Sequence, residues 1–266
     1  MNNRTDTVRR TEPRAEQPPI IRRPWPRFLI GFAIVWGVLA GLGEIDATGR
    51  WGIVILVLVA AAAVVVEMLL FKTSLRRAIG FLGLGRPGGR SLALAAVVSG
   101  VVLLVYPVTV ALTGAQLRLV PNWPWILVGI FAFHGLAEEI VWRGFAFRRL
   151  SIDRPFRTAV LLTMPLVAAA HIPIVINNGV VVALGAMLVA AVTSLPFSYL
   201  YVTGRCTVWA PAILHTAIDT FKLVIIPEYA VTTFSMLLIV VSIVVPLLAL
   251  TVPRRLLLPG RASRDA

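Results

Sequence analysis

Apolar residues come in long runs along most of the chain, and charged residues crowd into the short connections between them. A run of about 20 apolar residues crosses a ~30 Å hydrocarbon core as a helix. In lipid only helices and closed barrels satisfy their own backbone hydrogen bonds. The pattern predicts segments near residues 28–43, 51–71, 91–113, 124–147, 157–176, 179–202, 206–226 and 230–252. The expected fold is therefore an all-α, polytopic membrane protein with about eight transmembrane helices. Residues 1–27 are polar and rich in Arg and Pro, too poor in apolar surface to fold alone, and are expected to form a disordered cytoplasmic tail. Residues 28–252 form the predicted bundle, and residues 253–266 a basic cytoplasmic tail. Residues 74–84 suit a short helix lying on the inner leaflet. Trp25, Trp51, Trp123, Trp125 and Tyr229 fall near segment ends, where aromatic anchors gather.

Composition agrees. The chain is 58% hydrophobic and 14% charged, where a soluble domain carries about 25% charged residues. Mean hydropathy is +0.88. A net charge of +13 would suggest nucleic acid in a soluble protein, but the distribution argues otherwise. With eight crossings, 22 of the 25 Lys and Arg fall on one side, and only Arg50, Arg118 and Lys222 on the other. Cytoplasmic loops collect positive charge, so both termini are placed in the cytoplasm, with the bilayer as partner and no nucleic acid. A single cysteine, Cys206, excludes an internal disulfide and a cysteine metal cage. Arg-dominated basic residues, with abundant Ala, Gly, Val and Pro, hint at a GC-rich bacterial genome and hence a bacterial inner membrane.

Charged groups within apolar runs mark function. The fourth segment carries His134, Glu138, Glu139 and Arg143, the fifth His171, and the seventh His215 and Asp219. Glu139 and Arg143 are four apart on one helix face, which suits a charge pair. His134 shares a face with Glu138, and a structural or supporting role is expected for it. His215 and Asp219 are also four apart, so Asp219 is expected to orient the imidazole or to face the site itself. Glu138 lies ten residues from Arg148, and His215 ten from Arg205, each about 15 Å along a helix and near the bilayer midplane. Two histidines and a carboxylate could hold a divalent metal such as zinc with a position left for water. Glu138 would then act as general base. The same Glu with His171 could instead activate water without metal, while His215 and Asp219 stabilise the oxyanion. Glu67, about one turn from Lys72, is read as snorkelling to the interface. Thr163, Thr193, Ser194 and Ser198 are read as interhelical hydrogen-bonding groups.

These residues resemble the CPBP family of intramembrane metalloproteases, the CAAX proteases and bacteriocin-processing enzymes, whose prokaryotic part is often called Abi. The motif Glu-Glu-x-x-x-Arg reads Glu138-Glu139-Ile-Val-Trp-Arg143, followed by Gly144-Phe145. Phe-x-x-x-His reads Val167-Ala-Ala-Ala-His171, with Val in place of Phe. His-x-x-x-Asn/Asp reads His215-Thr-Ala-Ile-Asp219. The match spans about 125–225, the expected catalytic core. The resemblance implies a type II CAAX prenyl endopeptidase-like enzyme acting on a membrane-associated or prenylated-type protein or peptide. It implies Glu138, Glu139, Arg143, His171, His215 and Asp219 as site residues. Glu138, His171, His215 and Asp219 are the implied metal ligands. Two other readings compete: a non-catalytic immunity or scaffold protein on the same fold, and a proton-coupled transporter. No inverted repeat supports the last.

Overall fold

A computed structural model describes residues 25–46 and 48–258, the side chains of residues 177 and 178 apart. The predicted tails lie largely outside these residues, although residues 25–27 open the first helix rather than belong to a tail. The described residues form a helical bundle of ten principal helices. They are α1 Trp25–Ile45, α2 Gly52–Phe71, α3 Leu75–Phe81, α4 Gly89–Thr113, α5 Trp123–Leu150 and α6 Phe156–Ala169. Then come α7 Ile174–Asn178, α8 Val180–Thr203, α9 Trp209–Asp219 and α10 Glu228–Val244, the last continuing as a tighter helix over Val245–Thr251. Two short strands, β1 Arg118–Leu119 and β2 Val224–Ile225, pair antiparallel, with Arg118 opposite Ile225.

Seven helices among the described residues are long and apolar enough to cross a membrane. The predicted segment 206–226 is the difference. Its helix, α9, has 11 residues and passes into a tight turn over Thr220–Leu223. It packs against α4, α5 and α8, and most of its side chains are buried. Its apolar character therefore answers to protein neighbours rather than to lipid. It still runs from one end of the bundle to the other. Cys206, just before it, lines the same cavity as Arg148. Just after it, Leu223 accepts a hydrogen bond from Val120 N–H at 2.9 Å, on the strand side of α5.

Close backbone approach fixes the helix crossings, since no hydrophobic force drives helices together in lipid. Gly49, at φ +88°, and Gly52 lie against Gly129, where a Cβ on Gly52 or Gly129 would run into backbone. Asp46 shapes the turn that delivers Gly49. Its carboxylate accepts from Thr48 N–H and Gly49 N–H, each at 3.1 Å, and from Trp51 N–H at 2.5 Å. Burial acts to raise the Asp46 carboxyl, but the hydrogen bonds from Trp51 and Thr48 outweigh it and hold the group below its ordinary 3.8.

Two expectations are corrected. Buried Glu67 pairs with Arg149, not with Lys72 at the interface. The Arg149 guanidinium also sits over the Phe71 ring at 3.5 Å and the Phe81 ring at 4.3 Å. A carboxylate wholly out of solvent needs a bidentate partner, and a guanidinium supplies one where an ammonium cannot. Thr163, Thr193 and Ser194 bond to carbonyls of their own helix three or four residues back rather than bridging helices. The bridge between α4 and α8 is Ser91, which donates to Leu200 O at 3.0 Å.

Leaving one member of the buried pair alone strands a charge, so Glu67→Leu is expected to destabilise by roughly 3–5 kcal/mol. The double change Glu67→Leu with Arg149→Met costs less. Thermal unfolding in detergent measures both, and a double variant as unstable as the single would contradict the pairing. Because the Asp46 carboxyl is depressed in the folded state, its stabilisation is complete above pH 3.8 and is lost as pH falls through the lowered value. Asp46→Asn should flatten that acid limb of the unfolding profile.

Candidate active site

The site is built on α5. Over Phe131–Ala137 and Ile140–Phe147 this helix widens into π turns, and Glu138 N–H reaches back five residues to Phe133 O. Such turns frequently occur at functional sites. They flank Glu138 and Glu139 on both sides and keep three pairs four residues apart in contact. His134 Nδ1 lies 2.7 Å from Glu138 Oε1. Trp142 Nε1–H donates to Glu138 Oε2 at 3.4 Å. Arg143 donates to Glu139 Oε1 at 2.9 Å, both residues being buried. The Arg143 guanidinium also faces the Phe197 ring of α8 at 4.8 Å.

Helix α9 lies alongside. At Gly135 a Cβ would come within 2.6 Å of Thr216 Oγ1 and 3.1 Å of Ala212 O, so only glycine lets the two backbones approach this closely. The approach brings His215 against α5. Its Nδ1 is 2.8 Å from Glu139 Oε1, and its Nε2 is 3.8 Å from Glu138 Oε2. A carboxylate can only accept, so Nδ1 carries the proton and the Nε2 position turns to Glu138. The Phe197 ring packs on the imidazole at 5.4 Å and steadies it.

Of the two places expected for Asp219, the structure shows the second, facing the site itself. It does not hold His215. It lies 3.3 Å from His134 Nδ1 and 3.7 Å from Lys222 Nζ. Both residues belong to α9, and the partners differ because His215 is taken by Glu139 of α5 while Asp219, at the helix end, meets His134 and Lys222. Glu139 takes that orienting role while still paired to Arg143, so it does more than neutralise one arginine.

Lys222 enters the site unforeseen. Its ammonium is 2.6 Å from His134 Nε2. An ammonium only donates, so His134 accepts at Nε2 and donates at Nδ1, to Glu138 at 2.7 Å with Asp219 behind. Lys222 had been counted with the loops on the far side of the membrane. The overlooked signal was its place three residues after Asp219, a spacing at which helical charges meet.

His171 stands apart. It lies in the turn between α6 and α7, and its Nδ1 is 2.9 Å from Val167 O, which leaves the Nε2 lone pair free. It forms no hydrogen bond or ion pair with the other site residues among those described. The four expected metal ligands do not make one donor set. His171 touches none of the other three, and Asp219 is engaged by His134. Among the described residues no group of three or more His, Cys, Asp or Glu converges as a metal centre would require. The residues as placed do not fit tetrahedral zinc.

A comparison with family models matches residues 120–221 to the type II CAAX prenyl endopeptidase Rce1-like family. The matched stretch runs from the turn before α5 to just past α9, and it contains all seven of His134, Glu138, Glu139, Arg143, His171, His215 and Asp219. Over this segment, less than half of the chain, the protein is similar to the Rce1-like CAAX protease family. The family is one of peptidases, and the seven apolar helices make the chain a multi-pass membrane protein. Neither curated proteins nor solved structures yielded a match. Lys222 falls one residue beyond the Rce1-like segment.

The Gly135 contact gives a direct test. Gly135→Val forces α9 away from α5, at a cost of roughly 1–3 kcal/mol for overpacking, and parts His215 from Glu139. Gly37→Val, where a Cβ meets nothing within 4 Å, should leave the fold unchanged. Thermal unfolding of both in detergent checks the contrast, and equal stabilities would contradict the close approach.

Proposed function

We propose that the chain is an intramembrane endopeptidase in which Glu138 activates water against a peptide bond of a membrane-associated substrate, prenylated-type proteins or peptides included. The observation that carries this reading is the opposition of Glu138 and His215 at 3.8 Å, each held from behind by its own partner. His134 holds one oxygen of Glu138, and Glu139 holds the far nitrogen of His215. The Arg-dominated, GC-type composition and the clustering of basic residues support a bacterial inner membrane with both termini in the cytoplasm.

The chemistry follows from which atoms remain free. Glu138 Oε1 is held at 2.7 Å by His134, so Oε2, which accepts only the longer 3.4 Å bond from Trp142 and keeps a lone pair, takes a proton from water. The water oxygen attacks the carbonyl carbon, and the carbonyl π pair moves onto oxygen. His215, protonated at Nε2 as well as Nδ1, donates to that oxyanion, and the Glu139 carboxylate stabilises the imidazolium from the other side. Glu139 bears this role because Arg143 holds it in place. On collapse of the intermediate the C–N bond breaks, and Glu138 returns its proton to the leaving amine. His171, with its Nε2 lone pair free, is the second acceptor for the attacking water.

Removing the base without changing its shape isolates the step. Glu138→Gln is expected to lower turnover by about 10²–10⁴-fold, the usual yield of general-base catalysis, with unfolding temperature little changed. The assay compares the membrane proteome of cells carrying this variant with that of the parent, in which uncut substrates accumulate, then follows cleavage of one such substrate by purified protein. Undiminished cleavage by Glu138→Gln would sink the mechanism.

A further inference from the structure

At the end of the bundle opposite the strands, a cavity of about 420 Å³ opens between α5, α6, α8 and the segment after α10. That volume lies within the range of small-molecule sites, roughly 300–1,000 Å³. Arg148, Arg154 and Arg254 line it, together with Tyr201 and the rings of Phe81 and Phe156. It has no acidic lining residue. Among the described residues none of the three arginines has a carboxylate partner, whereas Arg149, beside Arg148 in sequence, is paired with Glu67.

What the three arginines do have is aromatic faces. Arg148 lies over Phe81 at 5.2 Å, Arg254 over Phe156 at 4.8 Å and Arg154 over Trp25 at 5.0 Å. A ring face steadies a guanidinium without consuming its N–H donors. Only Arg154 spends one, on Leu150 O at 3.3 Å. The positive-inside tendency explains arginine at this end of a bundle, but not three convergent, acid-free donors around one cavity. Tyr201, itself fully buried, forms part of the cavity wall.

We propose that this cavity binds a phosphate group, supplied by the headgroup of an anionic phospholipid. Guanidinium forks match phosphate oxygens in pairs, and the phenyl rings meet the glycerol and the start of the acyl chains. Basic pockets between transmembrane helices take anionic headgroups in this way. The site lies apart from Glu138 and does not depend on the peptidase reading.

The full chain, purified in detergent, is titrated with phosphatidylglycerol, phosphatidylcholine and inorganic phosphate, and bound ligand is counted by native mass spectrometry. Phosphatidylglycerol is expected to be retained over phosphatidylcholine, with the preference falling roughly fivefold per arginine in Arg154→Gln and Arg254→Gln. Retention that survives millimolar inorganic phosphate assigns the site to lipid, and loss in its presence assigns it to free phosphate and overturns the lipid source. Equal retention of the two lipids, or a preference unchanged in both arginine variants that remain folded by thermal unfolding, overturns the proposal.

Discussion

The constraint on which the rest of this structure depends is the cost of keeping ions away from water. Among the described residues the carboxylates Glu139, Glu138 and Glu67 each have a partner, although Glu139 Oε2 and two nitrogens of Arg143 are buried with none of their own. Glu139 accepts from both Arg143 and His215, Glu138 from His134 and Trp142, and Glu67 from Arg149. Attraction between charges in a low-dielectric interior repays desolvation only when geometry is good and the remaining lone pairs find donors. That requirement selects which helices must touch. Helix α9 sits against α5 because His215 completes Glu139. The turn after α9 tightens where Lys222 and Asp219 close around His134.

Glycine makes those contacts geometrically possible. Gly129, Gly135 and Gly144 lie along one helix, and each faces the backbone or a short side chain of a neighbour: Gly49 and Gly52, then Thr216 and Ala212, then Leu82. The widened turns of α5 place the ionisable residues between these contact points. Stability and chemistry are thereby assigned to alternating stretches of the same helix. One stretch is locked by backbone contact, and the next is free to present side chains to the site.

The charged ends of the bundle divide in a similar way. Arg149 is consumed by a structural pair with Glu67, while its neighbour Arg148 is held on a ring face with its donors open. Two adjacent arginines of one sequence run thus differ in what they can bind, and the difference lies in whether another helix brings a carboxylate within reach.

The all-α membrane architecture was legible in the sequence, because lipid leaves the backbone no other option and the apolar runs are long. The i, i+4 pairs His134–Glu138 and Glu139–Arg143 were legible too, since partners on one helix are set by local geometry. What sequence spacing mistook was partnership across helices. His215 and Asp219 are four apart on one helix, yet His215 turns to Glu139 and Asp219 to His134, because α5 brings its own ionisable groups against both. Lys222 and Arg149 found their partners 88 and 82 residues away. Residue types and periodicity determined which charges had to be buried. Only the tertiary structure decided which charge meets which, because that depends on how closely Gly135 lets two backbones come together.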